Sequence, residues 1–317
     1  MDDRRTLRVV QKTWEAEGVT SVTLADPAGT DLPAWEPGAH LALHLPNGLV
    51  REYSLCSDPA NRSAWTVAVL RTPDSRGGSR HIHDALPIGA LVEVDGPRNA
   101  FSLDESAPEH VLVAGGIGIT PIVAMARRLD AAGANWRLLY TGRSRATMAF
   151  LPELAAVQGD RVTIHADDEA NGARPDLTAL LGGLGPESLV YCCGPESLMT
   201  ACGDALADPS RLRVERFKAP EPIVSDAGDT AFDVVLSSTG QRVPVAADVS
   251  ILDALTAAGV ATASSCTEGI CGTCEVGVVK GDVDHRDFVL SDDEHEAGAT
   301  MMPCVSRCRS AELVLDL

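Results

Sequence analysis

Apolar and polar positions alternate with a period of two through much of the first hundred residues. The runs at 7–14, 19–25, 40–46, 50–56, 65–71 and 91–95 are short and alternating or rich in β-branched residues. Turn clusters at 26–29 and 46–48 separate them. Successive side chains of a strand point to opposite faces, so the pattern predicts half-buried strands of a small antiparallel barrel or sandwich. The period changes near Pro108. An apolar run at 110–114 leads into Gly115-Gly116-Ile117-Gly118-Ile119-Thr120-Pro121 and then a helical stretch to Asp130, stopped at Gly133. Further strands are predicted at 136–140, 161–166 and 188–193, with helical patterns at 149–154 and 197–207 between them. Strands alternating with helices predict a parallel α/β sheet. The last ninety residues open with a hairpin-like pair, 232–237 and 242–246, around Thr239-Gly240. Ser250 then reads as the cap of a short helix, with Asp253 at its third position and an end near Gly259.

Composition divides the chain in the same places. The 317 residues carry a net charge of −19 and only 4% aromatics, so the core rests on Val, Leu, Ile and Ala. That length allows two or three domains. Residues 228–317 hold 15 acids against 5 bases, a net of −10. Residues 218–228, with two prolines and a glycine, read as a linker into this acidic block. The acidic balance argues against nucleic acid and anionic membrane surfaces as partners. No run of about 18 apolar residues exists, and Met1-Asp2-Asp3-Arg4-Arg5 does not open a secretory signal. A reducing cytoplasm is therefore expected, where nine cysteines do not form a disulfide framework.

Cys266, Cys271 and Cys274 form C-x4-C-x2-C, and 29 residues separate Cys274 from Cys304. This is the plant-type [2Fe–2S] spacing. A two-iron cluster needs four outer thiolates, three from a tight loop and one from a distant segment. Gly269 and Gly272 would let backbone N–H groups approach the sulfurs. Zinc is the competing ion, but structural zinc sites usually pair two knuckles, and here there is one run and one isolated cysteine. Cys308 competes with Cys304 for the fourth position on sequence alone. Cys56, Cys192 and Cys202 read as buried, small and apolar.

The loop Gly115–Pro121 follows a strand and opens a helix, which suits a pyrophosphate at a helix N-terminus, although Pro121 replaces the third glycine of G-x-G-x-x-G. Cys193-Gly194-Pro195 ends a second strand before a helix. Arg143 and Arg145 stand where a 2′-phosphate would be received, or on a solvated loop. In the β-rich part, Arg51 and Tyr53 share one strand face, Ser54 follows, and Arg76-Gly77-Gly78-Ser79 leads into a helix at 80–85. A flavin mononucleotide needs an aromatic ring, an arginine and a phosphate loop. An ion pair, a cross-strand tyrosine and a loose turn explain the same residues one at a time. His81, His83, His285 and His295 read as surface residues.

The order Arg-x-Tyr-Ser, Gly-Gly-Ser, Gly-Gly-Ile-Gly-Ile-Thr-Pro, Cys-Gly-Pro and C-x4-C-x2-C…C resembles the phthalate dioxygenase reductase family, which includes vanillate demethylase reductases, over essentially the whole chain. Cys304-Val305-Ser306-Arg307 and the closing residues 312–317 resemble that family's C-terminus. The resemblance implies a multidomain protein. It has an FMN-binding antiparallel β-barrel (1–105), an NAD(P)-binding α/β parallel sheet (106–219) and an α+β, β-grasp plant-type ferredoxin (229–317). It implies an NAD(P)H-dependent iron–sulfur flavoprotein that reduces a Rieske non-haem iron oxygenase, with NADH as the usual coenzyme and NADPH admitted by Arg143. Arg51, Tyr53 and Ser54 would hold the flavin, and Gly77, Gly78 and Ser79 its phosphate. Gly115, Gly116, Gly118, Pro121, Cys193, Gly194 and Pro195 would bind the nicotinamide coenzyme. Thr120, Cys193 and Phe217 would lie near flavin and nicotinamide. Cys304, not Cys308, would complete the cluster's ligands. Hydride transfer between cofactors needs alignment rather than a strong acid or base. The acidic block would offer a docking face to a basic patch on the oxygenase. Two other readings use the same motifs: a free-standing reductase of ferric chelates, quinones or a haem protein, and a redox sensor.

Overall fold

The computed structural model describes residues 4–46, 48–73, 77–157, 159–219 and 228–317. Most of the linker at 218–228, the start at 1–3 and Arg76 lie outside the described residues. The chain divides into two compact units, residues 1–216 and 217–317.

The first unit opens with six antiparallel strands: β1 (Arg5–Ala16), β2 (Val19–Ala25), β3 (Ala39–His44), β4 (Val50–Ser54), β5 (Trp65–Leu70) and β6 (Leu91–Asn99). Their order is β4-β3-β6-β1-β2-β5, and a bridge between Leu55 and Val67 joins the two edges into a barrel. The predicted alternation sets the register. Leu7 and Val9, Val22 and Leu24, Leu41 and Leu43, Val67 and Val69, and Val92 and Val94 all point inward and are fully buried. Each contributes about 1.5–3 kcal/mol of burial. Helix α1 (Gly78–Asp84) follows β5, and its Ile82 packs into the same core.

Five parallel strands follow: β7 (His110–Gly115), β8 (Trp136–Gly142), β9 (Val162–Ala166), β10 (Leu189–Cys193) and β11 (Leu212–Glu215). Helices α2 (Ile119–Ala131), α3 (Leu151–Leu154), α4 (Leu177–Leu181) and α5 (Glu196–Ala205) connect them. All six residues of β7 are buried, as expected of a central strand covered on both faces. Gly133 takes the left-handed conformation that ends α2. The sheet order is β11-β10-β7-β8-β9. The chain therefore runs outward from β7 on one side, then returns to β10 on the other. In open parallel sheets, ligands bind outside the strand C-termini at that reversal. Helix α2 shares one core with the barrel: Ile119, Ile122 and Met125 cluster with Ala16, Val19 and Ala68. Arg127 on α2 pairs with Glu153 and donates to the Cys56 carbonyl.

The second unit is a mixed sheet of order β13-β12-β18-β14-β16, built from β12 (Phe232–Leu236), β13 (Arg242–Val245), β14 (Val276–Lys280), β16 (Thr300–Met301) and β18 (Glu312–Asp316). A second ladder pairs β15 (Val283–Asp284) with β17 (Arg307–Cys308). Strand β18 runs parallel to β12 in the middle of the sheet, and α6 (Ile251–Ala257) covers it through Ile251 and Leu255. This is the α+β grasp. The predicted cap is present: Ser250 Oγ accepts from the Asp253 N–H at 3.0 Å. Helix α7 (Asp292–Ala297), with a Ser291/Glu294 capping box, was not predicted. No helix among the described residues is long and apolar enough to cross a membrane.

Candidate functional site

The flavin candidates gather on one side of the barrel. Strand β4 carries Arg51, Tyr53 and Ser54, and β5 leads to Gly77, Gly78 and Ser79 at the start of α1. A Cβ at Gly78 would lie 2.7 Å from Arg51 Cγ, so the arginine stem lies directly on the glycine turn. The sequence placed these groups 27 residues apart, and the barrel makes them neighbours. Ser79 is buried, with its hydroxyl 3.3 Å from that of Thr72. Burial pushes the Tyr53 phenol up to about 12, so it stays protonated. An arginine, a neutral phenol and a bare backbone turn fit a flavin and its phosphate.

The nicotinamide candidates meet at the sheet reversal. Gly115–Gly118 leaves the C-terminal end of β7, and Cys193-Gly194-Pro195 leaves that of its neighbour β10. The two turns touch through bare backbone. A Cβ at Gly118 would lie 2.2 Å from the Cys193 carbonyl oxygen, and one at Gly194 would lie 2.9 Å from Gly115 Cα. These glycines let two loops share the mouth of the crevice. Pro121 sits in the first turn of α2, where it forfeits no hydrogen bond. Thr120 is buried and donates to the Ile117 carbonyl at 3.1 Å. Arg143 is exposed beyond β8, and Arg145 pairs with Glu169 at 2.7 Å. Phe217 lies two residues past β11 and is 45% exposed.

Glu215 was missed by sequence reasoning. It ends β11 opposite Cys193 in register, and Ser54 of β4 donates to its carboxylate at 3.3 Å. Barrel and parallel sheet thus meet at Ser54, Glu215 and Cys193. Burial and the Glu52 carboxylate push Glu215 up to about 8, against the pull of the Ser54 hydroxyl. Burial, reinforced by Glu215, likewise drives the Cys193 thiol upward and keeps it neutral. The available signal was the alternation of Val214-Glu215-Arg216, but a four-residue strand is too short for periodicity to single out.

A pH effect follows. The ordinary value for Glu215 is 4.5, so the folded chain keeps a proton that the unfolded chain releases between about 4.5 and 8. Stability falls as pH rises through that window. Glu215→Gln is expected to remove this loss. In calorimetry its melting temperature should gain on the parent progressively from pH 5 to pH 8, and a constant offset would contradict the assignment.

In the second unit the cysteine loop packs against the segment before β17. Cys271, Cys274 and Cys304 are buried and Cys266 is half-buried. The Cys274 and Cys304 sulfurs are 3.3 Å apart. The hydrogen bond between the two thiols lowers Cys274 and raises Cys304. The Glu268 N–H donates to Cys266 Sγ at 3.3 Å. Gly269 and Gly272 both have positive φ, and a Cβ on Gly269 would strike Val305 at 2.6 Å. Convergent thiols with backbone N–H donors fit an iron–sulfur cluster. Cys308 lies elsewhere. It is buried on β17 in the sheet core with Val283 and Leu313, its sulfur 3.1 Å from Ser310 Oγ. Cys56, Cys192 and Cys202 are buried as expected.

The histidines correct the sequence reading. His83 is half-buried and bonds the Val69 carbonyl at 2.8 Å. The His285 side chain is 9% exposed and stacks on His295, with ring centroids 4.5 Å apart. An imidazole is apolar enough on its faces to pack inward, and one-dimensional spacing did not show that.

Residues 234–309 match the family described as 2Fe-2S iron-sulfur cluster binding domain. The chain is 46% identical over 313 residues to phenoxybenzoate dioxygenase subunit beta of Ectopseudomonas oleovorans, covering 98% of this chain and 97% of that one. It is 40% identical to the solved phthalate dioxygenase reductase, described as a modular structure for electron transfer from pyridine nucleotides to [2Fe-2S]. That match covers 99% and 98% of the two chains, with a TM-score of 0.72. It is also similar to an intact type IV self-sufficient cytochrome P450 monooxygenase, at 45% identity and a TM-score of 0.92, covering 99% of this chain and 41% of that one.

Proposed function

The chain belongs to the phthalate dioxygenase reductase family, and from that premise we propose that its electrons go to a Rieske-type oxygenase. It is an NAD(P)H-dependent iron–sulfur flavoprotein oxidoreductase and the reductase component of an oxygenase system. Its cofactors are FMN and a [2Fe–2S] cluster, and its electron donor is a nicotinamide coenzyme, NADH or NADPH. The observation that carries the reading is the meeting of Ser54, Glu215 and Cys193 where the barrel joins the mouth of the parallel sheet.

Bound FMN supplies the exchange between a two-electron hydride donor and a one-electron cluster. The chain's own residues do the positioning. Arg51, Tyr53 and Ser54 orient the flavin, and Gly77, Gly78 and Ser79 hold its phosphate through backbone and hydroxyl groups. Gly115, Gly116, Gly118, Pro121, Gly194 and Pro195 form the coenzyme crevice. Thr120 and Cys193 line its floor, and Arg143 lies toward the adenosine end. The neutral Cys193 thiol and a protonated Glu215 keep net charge away from the reacting centre. Cys266, Cys271, Cys274 and Cys304 ligate the cluster. The working parts divide as a flavin barrel over 1–105, a coenzyme sheet over 106–219 and a ferredoxin over 229–317. A reducing cytoplasm, where thiols stay available as cluster ligands, is the setting that suits this cysteine usage.

A haem monooxygenase is the second reading for the acceptor, favoured by the likeness to the self-sufficient P450. Coupled NADH turnover with a purified Rieske oxygenase, set beside an isolated P450 haem domain, separates the two. Faster reduction of the haem protein would overturn the Rieske assignment.

The acidic second unit has a kinetic consequence. Asp292, Asp293, Glu294 and Glu296 are exposed together on α7. The rate of cluster oxidation by the oxygenase is expected to fall roughly tenfold between 50 and 500 mM salt. Stopped-flow rates indifferent to salt would remove the acidic docking face.

A further inference from the structure

Outside the cysteine loop, the described residues of the second unit hold one mixed nitrogen–oxygen cluster that the electron-transfer function does not use. His285 and Asp287 lie on the segment after β15, and His295 lies on α7. One ligand atom from each lies within 4.8 Å of the others. His285 Nδ1 is 3.6 Å from Asp287 Oδ1, and His295 Nε2 is 3.3 Å from that same oxygen. We propose that His285, Asp287 and His295 form a binding site for one divalent transition ion of the zinc class, separate from the iron–sulfur cluster.

Three features carry this. The first is donor chemistry: two imidazoles and a carboxylate are a common nitrogen–oxygen set for zinc, without sulfur. The second is spacing. Bonds of ~2.0 Å in a tetrahedron separate ligand atoms by roughly 3.3 Å. Two of the separations are already close to that, and a small turn of the His295 ring closes the third. The third is an unmet need. The His285 side chain is 91% buried, and neither ring nitrogen has a hydrogen-bond partner among the described residues. A buried polar atom left unpaired costs about 1–3 kcal/mol, and a metal bond would relieve it.

The surroundings suit a ligand set. The carboxylate is wholly buried and held from behind: Asp287 Oδ2 accepts from the Leu290 N–H at 2.9 Å and the Val289 N–H at 3.2 Å. Such outer hydrogen bonds aim a ligating carboxylate. Burial and the neighbouring His295 lower His285 against the opposing pull of Asp287, which favours the neutral imidazole a metal needs. The His295 side chain is 27% exposed, so ion and water can enter from that side. Phe288, beside Asp287, donates its N–H to the Gly269 carbonyl of the cysteine loop at 2.9 Å. An ion here would therefore clip α7 to the segment that backs that loop.

The test uses holoprotein with its cluster assembled, so that the four cluster cysteines are occupied. Zinc chloride is titrated calorimetrically, and the zinc environment is read by X-ray absorption. One zinc per chain with only nitrogen and oxygen neighbours is expected. His295→Ala, a change at the more accessible ligand, should weaken binding by more than ~100-fold. Its iron content and NADH–ferricyanide turnover should match the parent. Absence of binding, a sulfur neighbour, or undiminished affinity in His295→Ala would each overturn the site. None of these results depends on which oxygenase accepts the electrons.

Discussion

Cys274→Ser is expected to abolish the iron–sulfur absorbance and to cut NADH-dependent cytochrome c reduction by about two orders of magnitude or more, leaving ferricyanide reduction through the flavin largely intact. The reasoning starts from position. Cys274 is buried beside Cys304 with sulfurs 3.3 Å apart, and the two pack with Leu252 and Met302 at the cysteine loop. A serine hydroxyl there is a poor iron ligand. Cys308→Ser supplies the contrast. Its thiol lies in the sheet core beside Ser310 Oγ, so the variant should keep full iron content and lose at most about 1–3 kcal/mol on exchanging the thiol for a hydroxyl. Iron analysis and visible spectra read both. A cluster that survives Cys274→Ser, or disappears in Cys308→Ser, would reverse the assignment that the spacing alone left open.

Gly118→Ala is expected to lower kcat/KM for NADH by roughly 100-fold, because a displacement of ~1 Å at the mouth of the crevice spoils hydride alignment. The added methyl would stand 2.2 Å from the Cys193 carbonyl oxygen and 2.8 Å from the Gly194 nitrogen. Neither is a flexible side chain, so the two loops have to separate. Overpacking of this kind costs about 1–3 kcal/mol. FMN content and cluster absorbance should be unchanged. Gly116→Asn is the control. Gly116 has a φ of 55° with open space around it, and asparagine tolerates that conformation. Steady-state kinetics that rank Gly116→Asn below Gly118→Ala would show that loop contact is not what Gly118 provides.

These two variants mark how far the chain could be read without its structure. The barrel strands were legible because apolar residues alternate along them, as at Leu7 and Val9 or Leu41 and Leu43. The parallel strands were legible because β7 is apolar throughout and is followed by glycines. The α6 cap was legible from Ser250 and Asp253. Strands β15, β16 and β17 have two residues each, and no pattern of period two can be recognised in so few.

For the site, local chemistry survived and juxtaposition did not. The cysteine spacing identified the cluster, since three thiols in nine residues are a local fact. The choice between Cys304 and Cys308 was not local, because four residues decide only which strand end meets the loop. Glu215 was invisible for a related reason. Its raised pKa comes from burial that exists only when sheet and barrel share one core, and from Glu52 on a barrel strand some 160 positions earlier, against the opposing hydrogen bond from Ser54.

The sequence by itself determined the order of the cofactor parts, the strand and helix periods, the iron–sulfur spacing and the uneven charge. Each of these is written within a few neighbouring residues. Only the tertiary structure decided that Gly118 rests on Cys193, that Arg51 lies on Gly78, that Glu215 faces Ser54, and that His285 is buried with Asp287 and His295. These are contacts between segments far apart in the chain. Their energies depend on distance and exclusion from water, which folding sets and one-dimensional spacing does not encode.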